Sequence, residues 1–438
     1  MVKKYYIKTF GCQMNVYDSQ RIAAILKNLG YEEAPTPKAA DLIIFNTCHI
    51  REKAAEKVFS DLGRINLIKQ ERAEDGKDTV IGVVGCVVQA EDSEIAKRAP
   101  FVDFATGPLT YHRLPEILSR VARKRGISII DTEFPAVAKF DSLPENRAEG
   151  GLSYLAIQEG CNNFCTYCVI PYTRGRIRSL PLEEMTRQAA ALDAEGYREL
   201  VLTGIEIASY GKDLPGGLTL ADAVTTVTHA APHARLRLGS LEPTVVTEDF
   251  CRAIAATGRV CDHFHLSLQS GCDRTLARMN RKYDTQQFSE CAGRLRRYFP
   301  GCALTADLIT GFPGETDADH AATLAFLRRC GFAAVHVFPY SRRPGTKADE
   351  MPEQLSHAVK SARAHEAQQV ADETKRAYQN AQIGATLSVL FETERDGAWI
   401  GHSTNYCLVS AVGENLHGVV RNVEITGVSG EMLVGNLV

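Results

Sequence analysis

Three of the thirteen cysteines stand together in Gly160-Cys161-Asn162-Asn163-Phe164-Cys165-Thr166-Tyr167-Cys168, at C-x3-C-x2-C spacing. Three thiolates on one tight loop suit three corners of an iron–sulfur cube, with the fourth iron left to a ligand that is not protein. A zinc site recruits four protein ligands, or three and a water, usually in two separated pairs. No second pair lies nearby, and no histidine follows closely. A chance group of buried thiols is the plain alternative, because free Cys is among the most buried residue types. The spacing favours iron–sulfur.

A second set emerges only when the elements that would carry it are laid out. Over roughly residues 1–140, short apolar runs alternate with helical patterns. Lys4–Phe10, Leu42–Phe45 and Val80–Val84 read as strands, Asp18–Leu29 and Glu52–Lys69 as helices. Strands apolar on both faces and alternating with helices argue for a parallel sheet of βαβ units, Rossmann- or flavodoxin-like. Cys12, Cys48 and Cys86 each follow one of these strands. In open α/β sheets the ligand crevice lies beyond the carboxyl ends of the strands, so the three thiols are expected to converge there and to hold a second 4Fe-4S cluster. Three unrelated structural cysteines are the alternative. A nucleotide site competes poorly, because no G-x-G-x-x-G or P-loop follows these strands.

At 438 residues the chain has material for two to four domains, and 45% hydrophobic with 24% charged residues is an ordinary globular balance. No apolar run approaches the roughly 20 residues that span a bilayer. The start, Met1-Val2-Lys3-Lys4-Tyr5-Tyr6-Ile7-Lys8, lacks the apolar region of a signal peptide. An odd cysteine count without a secretory signal favours reduced thiols and a cytoplasmic location. The net charge of −3 gives no global pull toward nucleic acid, so RNA binding would have to come from local patches.

After a linker at Phe134–Gly150, residues 148–350 repeat the alternation. Strands are expected at Tyr154–Gln158, Glu199–Thr203, Arg235–Leu238, Phe264–Leu268, Ala303–Thr310 and Ala334–Pro339. Six such units suggest a partial (β/α)6 barrel with its site at the C-terminal ends of the strands. The loops there carry Glu206, Ser240, Glu242, Gln269 and the Gly311–Gly314 turn. Each alone reads as an ordinary barrel turn; their recurrence at one end points to a ligand. Arg174, Arg176 and Arg178, and Arg342, Arg343 and Lys347, border the same end. Such runs are usually solvated faces, but here they could hold RNA phosphates. A connecting helix is expected over residues 352–382, with Leu355, Val359, Ala362, Val370 and Ala377 near helical spacing. Residues 383–438 alternate with Gly and Asn turns, as in a small β-barrel. That module has six acidic residues against Arg395 and Arg421, which does not argue for phosphate binding.

The C-x3-C-x2-C motif, with an aromatic before its third cysteine, resembles that of radical S-adenosylmethionine (SAM) enzymes. The whole chain is similar to the methylthiotransferase family, and Gly401-His402-Ser403-Thr404-Asn405-Tyr406 resembles its TRAM module, associated with RNA binding. Cys161–Gly175 looks like the tRNA enzymes more than the branch that modifies a ribosomal protein. His265–Gly271 and Phe338–Thr346 look closest to the threonylcarbamoyladenosine branch, with the isopentenyladenosine branch next. The resemblance implies transfer of a methylthio group to C2 of the modified adenosine at tRNA position 37, in the anticodon stem-loop. It implies SAM and two 4Fe-4S clusters, one held by Cys161, Cys165 and Cys168, the other by Cys12, Cys48 and Cys86. The open iron of the first would chelate SAM, whose reductive cleavage gives a 5′-deoxyadenosyl radical; the second would hold the transferred sulfur. SAM contacts are expected from Glu206, Ser240, Glu242, Gln269, Gly311 and Gly314, tRNA contacts from Arg174, Arg176, Arg178, Arg342 and Arg343. An electron donor such as flavodoxin or ferredoxin is implied. No catalytic side chain beyond the cluster ligands is assigned. Glu206 stands where an amide is expected in relatives. The remaining cysteines read as structural.

Overall fold

The computed structural model describes residues 2–48, 52–123, 128–133 and 151–438. The linker expected at Phe134–Gly150 lies outside the described residues. The chain divides into two compact units: Met1–Arg147 with Glu159–Cys161 and Val169–Arg178, and Ala148–Gln158 with Asn162–Cys168 and Ser179–Val438.

In the first unit six parallel strands, β1 (Lys4–Thr9), β2 (Glu32–Glu33), β3 (Leu42–Thr47), β4 (Val80–Gly85), β5 (Phe104–Thr106) and β6 (Ile129–Asp131), take the order 2-1-3-4-5-6. This is the flavodoxin-like winding, with its switch point between β1 and β3. Helices α1 (Gln13–Asn28), α2 (Glu52–Glu74), α3 (Cys86–Arg98) and α4 (Leu114–Arg123) cover both faces. Val58, Leu62, Val87 and Val88 of α2 and α3 pack with Phe45, Ile81 and Val83 on one face. Ile22, Leu26, Leu114 and Ile117 of α1 and α4 pack with Tyr5, Ile44 and Val84 on the other. Covered on both sides, β3 is buried at every residue, which is why its sequence shows no polar alternation.

The second unit begins with β7 (Leu152–Glu159), whose last residue belongs to the first unit, as does the short helix α5 (Ile170–Thr173). After β8 (Arg178–Ser179) the chain runs through α6 (Leu182–Ala194), β9 (Glu199–Gly204), α7 (Leu220–Ala230), β10 (Arg235–Leu238), α8 (Glu248–Ala256), β11 (His263–Gln269), α9 (Asp273–Arg278), α10 (Thr285–Tyr298), β12 (Ala303–Thr310), α11 (Asp317–Cys330) and β13 (Ala334–Pro339). Strands β7, β9 and β10 pair in parallel, and so do β11, β12 and β13. Only isolated bridges, Leu241↔Leu266 among them, join the two sets. The expected six-strand barrel is therefore two hydrogen-bonded sheets with a seam.

After α12 (Lys347–Glu350), α13 (His357–Asn380) packs against α11 and β13. Its buried stripe is Arg363, Ala367, Val370, Ala371 and Thr374, while Val359 is exposed. The apolar stripe expected from spacing is thus shifted, because Arg363 goes inside to pair with Glu315 at 2.9 Å and Asp317 at 2.6 Å. Strands β14 (Thr386–Arg395), β15 (Ala398–Ser403), β16 (Leu408–Ala411), β17 (Val420–Ser429) and β18 (Met432–Leu437) close into a barrel. Buried Glu199 accepts Arg235 Nε and Arg237 Nε, both at 2.6 Å. The same guanidiniums donate to the carbonyls of Ser388, His402, Ser403 and Thr404 at 2.9–3.1 Å. The small barrel is thereby fixed near the N-terminal ends of β9 and β10, leaving the C-terminal ends to the site.

Candidate active site

Cys12 and Cys48 follow the two strands that flank the switch point, and Cys86 follows the next. Cys12 is the N-cap of α1, and Cys86 opens α3. A helix N-terminus favours a thiolate, the form that ligates metal. Gly11, at φ +108°, lets the backbone pass close to Cys48; an added Cβ would lie 2.2 Å from the Cys48 Cβ and 2.8 Å from its sulfur. A hydrogen bond from Cys48 is the main reason the Cys12 thiol is pulled down to about 6. Burial pushes the Cys86 thiol up, against the nearby Arg174 charge.

Arg174 ties this group together and is itself wholly buried. Its Nε donates to Cys86 Sγ at 3.3 Å, and Nη2 to Asp18 Oδ2 at 2.9 Å and Asn15 Oδ1 at 3.2 Å. Nη1 lies 3.4 Å from both Glu159 oxygens. The Cys12 thiol points at the same Asn15 oxygen at 3.7 Å. Burial works against the guanidinium charge, but Cys86, Asp18 and Glu159 outweigh it and hold the group protonated. Arg174 is thus not a phosphate contact, as its place in a run of arginines suggested. Asp18, Asn15 and Glu159 carry no motif, and nothing in the sequence singles them out as partners of Arg174.

Among the described residues no three His, Cys, Asp or Glu side chains close on a single metal ion. A four-iron cluster asks something different, since each thiolate takes its own iron at a separate corner. Soft donors, one already acidified, on three strand ends suit that group.

Of the C-x3-C-x2-C loop, Cys161 belongs to the first unit, and Cys165 and Cys168 to the second. In the second unit Thr166 bonds to the turn after α9, through its N–H to Met279 O at 3.1 Å and its hydroxyl to Arg278 O at 2.9 Å. Asn280 Nδ2 donates to Phe164 O at 3.0 Å, while Tyr167 meets Phe312 edge-on at 6.3 Å. Arg281, absent from the sequence reading, donates Nη1 to Cys165 Sγ at 3.1 Å, and its Nη2 pairs with Glu242 Oε1 at 3.3 Å. Glu242 Oε2 accepts Asn163 Nδ2 at 3.4 Å. Burial raises the Glu206 carboxyl, with Glu242 adding to it and Ser209 opposing. Its Oε1 is buried without a hydrogen-bond partner. The structure thus brings Glu206 and Glu242 into one polar group with Arg281 and Cys165.

The other strand-end residues differ. Ser240 and Ser267 share a hydroxyl bond of 2.9 Å, and Gln269 sits at φ +63°. Gly311 and Gly314 take φ of +70° and +75°, a conformation that favours glycine, and an added Cβ on Gly311 would lie 2.4 Å from Lys360. Arg176 and Arg342 are exposed and Arg178 half-buried, whereas Arg343 is 7% exposed. Arg342 is paired with Asp349 at 2.6 Å. Cys251, Cys261, Cys291, Cys302 and Cys330 are buried, and burial raises each thiol, as befits packing residues.

Residues 4–107 match the model described as an uncharacterized protein family, UPF0004, and residues 155–327 that of the radical SAM superfamily. The chain is 43% identical over 445 aligned residues to the tRNA-2-methylthio-N(6)-dimethylallyladenosine synthase of Maricaulis maris, covering 99% of this chain and 97% of that one. Among solved structures it is similar to the radical SAM methyltransferase TsrM of Kitasatospora setae, with a TM-score of 0.58, 14% identity, and coverage of 80% and 75%. It is also similar to the cobalamin-dependent radical SAM enzyme OxsB, with a TM-score of 0.55, 14% identity, and coverage of 85% and 56%. At such identity these two speak for the fold alone. The Maricaulis relative overturns the expectation of a threonylcarbamoyladenosine substrate, which rested on short motifs. A match of this identity over nearly the whole chain shows that it belongs to the radical SAM methylthiotransferases, enzymes that work with SAM and two 4Fe-4S clusters.

Proposed function

We propose that this chain places a methylthio group on C2 of N6-isopentenyladenosine in the anticodon stem-loop of tRNA. The observation that carries it is the 43% identity, end to end, with an enzyme named for the dimethylallyladenosine product. Cys161, Cys165 and Cys168 hold the cluster that binds SAM, and Cys12, Cys48 and Cys86 hold the second. When bound, these cofactors supply the one-electron cleavage of SAM and the sulfur that is transferred. The chain's own residues orient and shield. Arg281 sets a cation on Cys165, Glu242 fixes Arg281, and the unsatisfied Glu206 oxygen accepts a donor from SAM. Arg176, Arg178 and Arg342 take tRNA phosphates, and a small flavodoxin or ferredoxin delivers the electron.

The test incubates reconstituted enzyme, SAM and a reductant with tRNA carrying isopentenyladenosine or, separately, threonylcarbamoyladenosine. Digested nucleosides are then weighed by mass spectrometry. Gain of a methylthio group on the isopentenyl nucleoside alone is expected; SAM cleavage without that product overturns the substrate.

A further inference from the structure

We propose that Arg174 is a positioning residue for the thiols of the first unit, one that biases a cluster held there toward its reduced form. The inference rests on the reading of Cys12, Cys48 and Cys86 as ligands. A fully buried guanidinium is expensive, since desolvating each ion costs several kcal/mol unless geometry and hydrogen bonds compensate. Asp18 and Glu159, each with a side chain 0% exposed, supply that compensation at 2.9 and 3.4 Å. The guanidinium's donors are not all spent on carboxylates. Here Nε goes instead to Cys86 Sγ at 3.3 Å, and Nη2 also reaches Asn15 Oδ1, toward which the Cys12 thiol points. One side chain therefore restrains two of the three thiols, Cys86 directly and Cys12 through Asn15.

Hydrogen bonds to ligating sulfurs and nearby charge are the levers by which a protein sets a cluster's potential. Reduction adds one electron to the cluster. A fixed cation and an N–H donor at the sulfur stabilise the added charge, whereas Asp18 opposes it. Opposite shifts on neutralising the two side chains follow, whereas a mere loss of packing has no reason to move the potential in opposite directions.

The test uses full-length protein with Cys161, Cys165 and Cys168 replaced by alanine, so that only the first-unit set remains. Iron content and an EPR-monitored titration with dithionite are read together. The parent is expected to bind about four irons. Arg174→Gln should shift its reduction equilibrium at least fivefold toward the oxidised form, about 40 mV for one electron. Asp18→Asn should shift it toward the reduced form, and Arg174→Lys, which keeps the charge, should fall between Arg174→Gln and the parent. If Arg174→Gln holds no iron, Asp18→Asn decides alone. A shift of the reduction equilibrium below fivefold for Arg174→Gln, or shifts of the two variants in the same direction, overturns the proposal. A parent without iron overturns the ligand reading itself, and this inference with it.

Discussion

Two guanidiniums stand against two cysteine sulfurs, Arg174 on Cys86 at 3.3 Å and Arg281 on Cys165 at 3.1 Å. Each is backed by buried carboxylates, Asp18 and Glu159 in one case and Glu242 in the other. The shared arrangement is a desolvated cation donating to a sulfur, held in place by acids that keep it charged. Whether both thiol sets carry clusters can be read by counting iron. The reconstituted protein should bind about eight irons, and Cys48→Ala or Cys165→Ala alone about four, since each change empties one four-iron site. An unchanged count for Cys48→Ala would assign its set a structural role.

At the scale of elements, the strands that lead to cysteines were legible because they are long, apolar and end in glycine or polar turns. Those of two or three residues, β2, β5, β6 and β8, were not, since so short a run gives no periodicity. Helix α13 misled for another reason: its buried stripe admits Arg363, a residue that spacing arguments place outside. Thr316 and Asp319 open α11 as a capping box, and Asp319 also takes Arg274 Nε at 3.1 Å. The Arg274 hydrogen bond, followed by those of Thr316, outweighs burial and holds the Asp319 carboxyl well below the usual aspartate range. A depressed native value means that the stabilisation is complete above the ordinary aspartate value near ~3.9 and is lost as the pH falls through the native one. Asp319→Asn should therefore cost about 1 kcal/mol at neutral pH, as for a cap paired with a half-exposed arginine. Thermal melts of the two proteins should converge as the pH drops below ~4. A constant gap across that range would mean that the carboxylate charge contributes nothing.

Across the whole molecule, family and cofactors were written in the cysteines, while the substrate was not. Two residues of the motifs that pointed to threonylcarbamoyladenosine serve the scaffold. His265 bonds to Thr305 at 3.0 Å across β11 and β12, and Thr346 bonds back to Arg343 O at 2.7 Å in the turn that follows β13. Residues that hold strands together report the fold, not the group on the adenine. The electrostatic reading needed similar sorting. With a net charge of −3 and an acidic C-terminal barrel, the proposed tRNA binding has to draw on local arginines. Burial removes Arg174 and Arg343 from that group and leaves Arg176, Arg178 and Arg342. For single-stranded RNA the logarithm of affinity falls with the logarithm of salt by about 0.7 per neutralised phosphate. Replacing Arg176, Arg178 and Arg342 together by alanine should thus flatten the salt dependence of tRNA binding by about 2. The pair Arg395→Ala and Arg421→Ala, on the acidic barrel, should leave the slope where it was. The reverse pattern, in a fluorescence titration of labelled tRNA between low and physiological salt, would move the RNA surface onto the C-terminal barrel and leave Arg176, Arg178 and Arg342 as solvated charge.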